Sequence, residues 1–402
     1  MTWGEAGLRG PKVRSDCWVG VELLDAGGLQ IEVQSLIERL YGAAIHRQVE
    51  EGLATLGVEH ARVEVEDGGA LPFALDARLE AAVRAANPAL KHQLLSAERV
   101  ELTPSRRNRF RRSRLYLPGN TPKLMVNAGL HGADGIILDL EDSVAPVAKD
   151  AARCIIRNAI RVLDFRGAEV MVRINQGPRG LDDLEWVIPH GAQLILIPKV
   201  EDVEQVRHVE ERISNICDEC GREDPVWLMP IIESALGALR TLDIASASPQ
   251  VVALAIGLED YTADLGVQRT NEGTESFWMR GQVINAARAA GVQPIDTVFS
   301  DVADMEGLKK SVEEAKTLGF DGKGCIHPRQ IGIVNSAFAP SAAEIAKARR
   351  IVLAFDEAEK KGLGVVSLGS KMIDPPVVKR ALHTVNLAIA TGVLAADWRE
   401  AQ

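Results

Sequence analysis

No apolar run in this chain approaches the length needed to cross a bilayer, and Met1-Thr-Trp-Gly-Glu5 lacks the pattern of a secretory signal. A membrane protein is therefore not expected. Basic residues are the minority, 46 Lys and Arg against 56 Asp and Glu, so the net charge is −10. That balance argues against general binding to nucleic acid or to an anionic membrane. Cysteine is sparse: Cys17, Cys154, Cys217, Cys220 and Cys325 are scattered and odd in number. A disulfide framework is not expected; a cytoplasmic location with reduced thiols is. Cys217-Asp-Glu-Cys220 is a single CxxC in a helical pattern, without the second pair a structural zinc site needs. A glycine fingerprint for a dinucleotide is also missing. What remains is a chain of 402 residues, 46% hydrophobic, long enough for one large domain and a small one.

The small one comes first, over residues 1–90. Cys17–Leu24 alternates as a strand, Asp25–Gly28 is a turn, and a second strand follows around Leu29–Val33. Leu36 to Leu56 carries helical spacing, Ala61–Glu66 reads as a strand, and Ala74–Ala86 as a helix. This small α+β unit holds no metal-ligand cluster and no catalytic set, so its residues point to a binding or carrier module. Residues 91–112 read as a linker. Its basic cluster, Arg106, Arg107, Arg109, Arg111 and Arg112, is expected to be solvated and flexible. It precedes the first strand of the next domain, so it belongs at the end opposite the strand C-termini, roughly 17 Å away for a five-residue strand.

From residue 113 to 335 the chain repeats strand, loop and helix. The strands read as Leu115–Leu117, Gly135–Leu140, Val170–Asn175, Leu194–Lys199, Trp227–Glu233, Val251–Asp260, Thr297–Phe299 and Gly324–Ile326. Eight units over about 220 residues match an α/β fold of the (β/α)8 TIM-barrel type. Strand parity sharpens the reading, because alternate residues share a face. Ile137, Asp139 and Glu141 share one; so do Met171, Arg173 and Asn175. The same holds for Ile195, Ile197 and Lys199, for Met229, Ile231 and Glu233, and for Leu254, Ile256, Leu258 and Asp260. Each face turns from apolar to polar at its C-terminal end, as an inward face does where packed core gives way to an active site.

Glu233 and Asp260 end two successive strands, so their carboxylates should stand side by side on a rigid frame. A hard cation such as Mg²⁺ takes one or two carboxylates and leaves its other positions to water and substrate. Asp139 and Glu141 are expected to orient an arginine and water rather than to ligate. In the loop Pro118-Gly119-Asn120, followed by Thr121-Pro122 as helix cap and first position, backbone amides with Lys123 could receive the phosphates of a CoA-like arm. His327, after the eighth strand, suits loop-shaping hydrogen bonds better than proton transfer.

Two resemblances follow. Arg14-Ser-Asp16, Glu38-Arg-Leu-Tyr-Gly42 and Asp67-Gly-Gly-Ala-Leu-Pro-Phe-Ala-Leu-Asp-Ala-Arg-Leu-Glu-Ala81 resemble the acyl carrier (gamma) subunit of citrate lyase. That subunit carries a CoA-derived arm on a serine two residues before the aspartate. Here that position is Arg14, and the nearby serine is Ser15, so the resemblance implies Ser15 as the site of any phosphoribosyl-dephospho-CoA arm. Gly132-Ala-Asp-Gly-Ile-Ile-Leu-Asp-Leu-Glu-Asp142, Val172-Arg-Ile-Asn175, Ile232-Glu-Ser234, Gly257-Leu-Glu-Asp-Tyr261, Gly322-Lys-Gly-Cys-Ile-His-Pro328 and Lys371-Met-Ile-Asp-Pro375 resemble the citrate lyase beta subunit and the malyl-CoA and citramalyl-CoA lyases. The resemblance implies Mg²⁺ on Glu233 and Asp260, a substrate arginine at Arg173, and homotrimers or hexamers. It also implies a proton-transferring Asp374 on a C-terminal lid, residues 336–402, that reaches a neighbouring subunit.

The expected reaction is retro-Claisen cleavage of a 3-hydroxy-3-carboxy acyl thioester into a 2-oxo acid and an acyl thioester. Two other readings stand beside it. One is a fused carrier and beta subunit of a citrate lyase complex, which needs a separate acyltransferase (alpha) subunit; the other is a non-catalytic scaffold. Residues 341–361 read as one helix, Gly362–Ser370 as a hinge, and another helix starts at Val377.

Overall fold

The structure is a computed structural model and describes residues 3–96, 99–360, 362, 365–368 and 371–399. Two compact units emerge, residues 1–332 and 333–402.

The first unit opens with a four-stranded sheet of order β1-β2-β4-β3, formed by β1 (Trp3–Gly7), β2 (Cys17–Leu23), β3 (Leu29–Ser35) and β4 (Ala61–Asp67). Two helices accompany it, α1 (Glu38–Thr55) and α2 (Pro72–Ala86). The strand β1 was not foreseen: Trp-Gly-Glu-Ala-Gly has no β-branched residue, and pairing with β2 imposes the extended form. Helix α2 is buried nearly all round. It packs between the small sheet and a barrel helix, α4 (Lys149–Val162), which follows the short α3 (Pro122–Met125). Arg157 of α4 donates two hydrogen bonds to Glu80 of α2, at 3.0 and 2.6 Å, with both side chains wholly buried. Glu80 also accepts from Arg84 and from the backbone N–H of Leu94.

Eight parallel strands close into a barrel: β5 (Ser113–Pro118), β6 (Gly135–Asp139), β7 (Glu169–Arg173), β8 (Leu194–Ile197), β9 (Trp227–Ile232), β10 (Ala253–Ile256), β11 (Gln293–Asp296) and β12 (Gly322–Cys325). Its core draws on Ile137, Met171, Leu196, Met229, Ala255 and Ile295, packed against Tyr116. The expected parity therefore holds on β6, β7 and β9. On β8 and β10 it is reversed, since Leu194 and Leu196, and Ala253 and Ala255, supply the core instead. The seventh strand lies four residues earlier than read, because Pro294 and Asp296 hide its apolar pattern. The sixth stops at Ile256, and Leu258–Asp264 is helical.

Of the linker arginines Arg106 is exposed, as expected, but Arg109, Arg111 and Arg112 are neither solvated nor loose. Arg111 is wholly buried, paired with Glu169 at 2.7 Å and bonded to Gln293; Arg112 is paired with Asp134 at 2.8 Å. Glu169 and Gln293 begin their strands, so the cluster does cover the end of the barrel opposite the strand C-termini.

The second unit contains the helix Ala342–Lys360, an antiparallel hairpin of Val366–Leu368 with Lys371–Ile373, and the helix Pro375–Ala390. They enclose a core that includes Val352, Ile373, Val385 and Trp398. Parts of the proposed hinge, residues 363, 364, 369 and 370, lie outside the described residues.

Candidate active site

A cavity of about 390 Å³ opens at the C-terminal ends of the barrel strands, lined by Tyr116, Pro118, Asp139, Arg173, Glu233 and Asp260 among others. Two of these residues form its most rigid part. Arg173, the last residue of β7, donates from Nε and Nη2 to the two carboxylate oxygens of Asp139 at 2.6 and 2.7 Å. Its Nη1 lies 3.0 Å from Glu141, and its guanidinium stands 5.5 Å over the Tyr116 ring. A planar fork held bidentately has one orientation. Burial pushes the Asp139 carboxyl up, but the hydrogen bonds and charge of Arg173 outweigh it and hold it below the usual range. Glu141 is raised: burial outweighs Arg173 and the hydrogen bond from Gln176.

Glu233 follows β9 and is 4% exposed. Its Oε1 accepts the backbone N–H of Lys199 at 2.7 Å. Lys199 adopts φ +50°, a left-handed conformation that costs a non-glycine residue roughly 1 kcal/mol or more. Gly257 is required beside this carboxylate, because a Cβ there would lie 2.3 Å from Glu233 Oε2. Burial drives Glu233 up to about 8, against the hydrogen bond from Lys199 and with help from the Asp260 charge. Asp260 is not at a strand end as expected. It sits in the first turn of the helix Leu258–Asp264, which carries it to the cavity all the same. The Lys199 ammonium lies 3.4 Å from Asp260 and 3.6 Å from Glu141. Burial lowers its pKa, but four surrounding carboxylates raise it further.

A family model described as HpcH/HpaI aldolase/citrate lyase matches residues 112–328, the whole barrel and its strand ends. The chain belongs to this family. It is 40% identical to the citrate lyase subunit beta of Escherichia coli (strain K12) over 291 residues, 72% of this chain and 96% of that protein. It is 34% identical over 304 residues to the L-malyl-CoA/beta-methylmalyl-CoA lyase of Cereibacter sphaeroides (strain ATCC 17025 / ATH 2.4.3), 69% of this chain and 93% of that one. A solved structure, protein CitE from Mycobacterium tuberculosis in complex with magnesium, acetoacetate and coenzyme A, matches with TM-score 0.59 and 31% identity. It covers 70% of this chain and 99% of that one. Residues 8–86 match an acyl-carrier model described as malonate decarboxylase delta subunit.

Within this HpcH/HpaI barrel, a divalent metal fits at Glu233 and Asp260. Glu233 is a buried carboxylate that makes no ion pair among the described residues, and burial, helped by the Asp260 charge, raises its pKa to about 8. Among the described residues no three His, Cys, Asp or Glu side chains converge to hold an ion. Two carboxylates with open remaining positions suit Mg²⁺, which keeps several waters.

Of the residues expected from the sequence, the fold brings Asp139, Glu141, Arg173, Glu233, Asp260 and Pro118 to the strand C-terminal end of the barrel. The Gly119 N–H donates to the Asp139 carbonyl at 2.8 Å, and a Cβ at Gly119 would meet that oxygen. Lys123 is exposed and lines a different groove. Ser15 lies in the small domain at φ +54°, its N–H bonded to the Gly68 carbonyl. Asp374 belongs to the second unit, where it caps the helix Pro375–Ala390 by accepting the Val377 N–H at 3.2 Å. His327 accepts the Arg329 N–H at Nδ1, a loop-shaping role. Sequence reasoning missed Gln176 as a site residue. Lys199 did end a polar face on strand parity, but its left-handed backbone was not legible.

Proposed function

We propose that this chain is a Mg²⁺-dependent carbon–carbon lyase that cleaves a 3-hydroxy-3-carboxy acyl thioester of CoA into a 2-oxo acid and an acyl thioester. The observation that carries the reading is the buried Glu233 carboxylate beside Asp260, facing a locked arginine across one cavity. The magnesium and coenzyme A of the solved relative, and the malyl-CoA substrate in the name of the other, are consistent with it.

Glu233 and Asp260 would hold Mg²⁺, whose Lewis acidity would make the substrate hydroxyl easier to ionise. The chain's own groups do the rest. Asp374 takes the hydroxyl proton as the bond between the carbinol carbon and the thioester α-carbon breaks. The electron pair moves into the thioester, giving an enolate, and the other fragment leaves as the 2-oxo acid. Arg173 stabilises the enolate oxygen, a charge present only along the reaction, so its contribution is catalytic. Asp139 fixes the guanidinium plane and Tyr116 covers its face. Asp374, now carrying the hydroxyl proton, returns one to the enolate carbon and is left as the carboxylate again.

The carrier model matched by residues 8–86 favours a second reading, a fused carrier and beta subunit working with an acyltransferase subunit. Homotrimers or hexamers, with Asp374 serving a neighbouring subunit, belong to both readings. Purified chain alone, assayed with Mg²⁺ and citryl-, malyl- and citramalyl-CoA, separates them. Turnover of a free CoA thioester without any other subunit supports the first; turnover that appears only when an alpha subunit is added supports the second.

A further inference from the structure

A second cavity, of about 520 Å³, lies where the small domain meets the barrel. One wall is the loop before β2, including Lys12 and Arg14; the other is Thr121, Pro122 and Lys123, after β5. We propose that this groove seats the phosphorylated nucleotide end of a free CoA thioester, so that the carrier-like domain acts as a fixed part of the CoA site rather than as a carrier. The inference rests on the lyase reading above.

Three observations support it. First, the groove keeps three cations in excess: of its charged lining residues, Arg9 is paired with Glu64 and Glu66 and Asp16 with Arg78. Among the described residues, Lys12, Arg14 and Lys123 make no ion pair, and all three are exposed. Arg14 Nη1 is held by the Pro11 and Val13 carbonyls at 2.9 and 2.8 Å, which fixes its guanidinium beside the groove. In a chain of net charge −10, such a cluster gives the groove a local positive potential suited to an anionic ligand. CoA carries a pyrophosphate and a 3′-phosphate on one nucleotide, matching a groove with three dispersed cations outside any ion pair among the described residues.

Second, the two walls are fixed to each other. Arg78 of α2, buried, donates to both oxygens of Asp16 at 3.0 and 2.9 Å and to the Asn120 carbonyl at 2.8 Å. One guanidinium thereby ties the loop of Arg14 and Ser15 to the loop that ends in Lys123. With the buried Glu80–Arg157 pair, this holds the small domain in place. A domain that carried an arm between distant sites would have to break both contacts at each cycle.

Third, the groove is within reach of the chemistry. Pro118 lines the catalytic cavity and Lys123 the groove, and five residues of chain separate them by at most about 18 Å. An extended pantetheine chain spans a comparable distance.

The test uses the full chain with Lys12→Glu and Arg14→Glu, which reverse the two exposed cations of the small-domain wall that make no ion pair among the described residues. Coenzyme A and pantetheine are titrated calorimetrically, and the CoA and pantetheine thioesters of one acid are compared kinetically. Each lost phosphate contact should weaken CoA about tenfold, in affinity and in KM, with kcat unchanged and pantetheine binding unmoved. Lys12→Arg with Arg14→Lys should restore CoA binding. Unchanged CoA binding, or equal loss for CoA and pantetheine, would overturn the proposal. So would a covalent CoA-derived arm on Ser15 in the intact mass. Wild-type protein that binds CoA through these residues yet cleaves no thioester would leave the groove standing and remove the lyase reading.

Discussion

The backbone N–H of Lys199 donates to Glu233 Oε1 at 2.7 Å, from a residue held at φ +50°. That left-handed step after β8 breaks the strand and aims the amide at the carboxylate. It fixes one Glu233 oxygen, while Gly257 leaves room for the other. The carboxylate is thus positioned by the chain itself, and burial raises its pKa to about 8.

Metal binding should consequently depend on pH with a defined sign. Glu233 is raised, so the folded chain binds this proton more tightly than the unfolded one. The stability from that group is complete below the ordinary glutamate range and is lost as pH rises through about 8. Mg²⁺ must displace the proton, so its affinity should rise about tenfold per pH unit from 6 to 8 and then level off. Thermal unfolding with MgCl₂ or EDTA across this range reads it. Glu233→Gln should be insensitive to Mg²⁺ and, without metal, melt higher than wild type at pH 8.5. A pH-independent response would remove Glu233 as the ligand.

The Asp139–Arg173 pair sets a second expectation. Arg173→Lys keeps the charge but loses the fork, and kcat should fall about 10²- to 10³-fold, the cost of losing an oriented charge-stabilising donor. Asp139→Asn keeps the shape but loosens the guanidinium and should give a smaller loss in kcat with little change in KM. Steady-state kinetics at saturating Mg²⁺ measures both. Unchanged kcat in Arg173→Lys would take Arg173 out of the chemistry.

Much of this site was legible in the sequence. On β6, β7 and β9, strict alternation placed Asp139, Arg173 and Glu233 at the polar ends of apolar faces, and the barrel keeps that register. Other parts were not legible, for identifiable reasons. Val251–Asp260 is apolar throughout its first half, so nothing marks Ile256 as the strand end, and Asp260 reaches the cavity from a helix that starts at Leu258 rather than from the strand. The linker arginines looked solvated because their acidic partners, Glu169 and Asp134, are far along the chain. Docking of the small domain depends on Glu80 and Arg157, 77 residues apart, which no local pattern links.

That docking pair can be tested through stability. Glu80→Ala leaves the Arg157 guanidinium buried and unpaired, which should cost about 3–5 kcal/mol in chemical denaturation. Glu80→Gln, retaining hydrogen-bond acceptors, should cost less. A loss below about 1 kcal/mol for Glu80→Ala would show that the small domain and barrel are held together by other contacts.

Asp374 has an observed role and a proposed one, which substitution can separate. It caps the helix Pro375–Ala390, and asparagine caps a helix about as well as aspartate. Asp374→Asn should therefore keep the melting temperature, whereas Asp374→Ala should lose about 1 kcal/mol. If Asp374 also takes the substrate proton, both variants lose turnover, because an amide cannot accept it. Full turnover in Asp374→Asn would reduce the residue to a cap. Its place in the second unit then allows a further test of the oligomer. When the lid serves a neighbouring subunit, inactive Asp374→Asn and inactive Glu233→Ala chains, unfolded together and refolded as mixed oligomers, should regain a fraction of wild-type activity. In such a mixture some sites combine an intact Glu233 with a neighbour's intact Asp374. Mixed oligomers verified by mass that stay inactive would mean that each lid serves its own barrel.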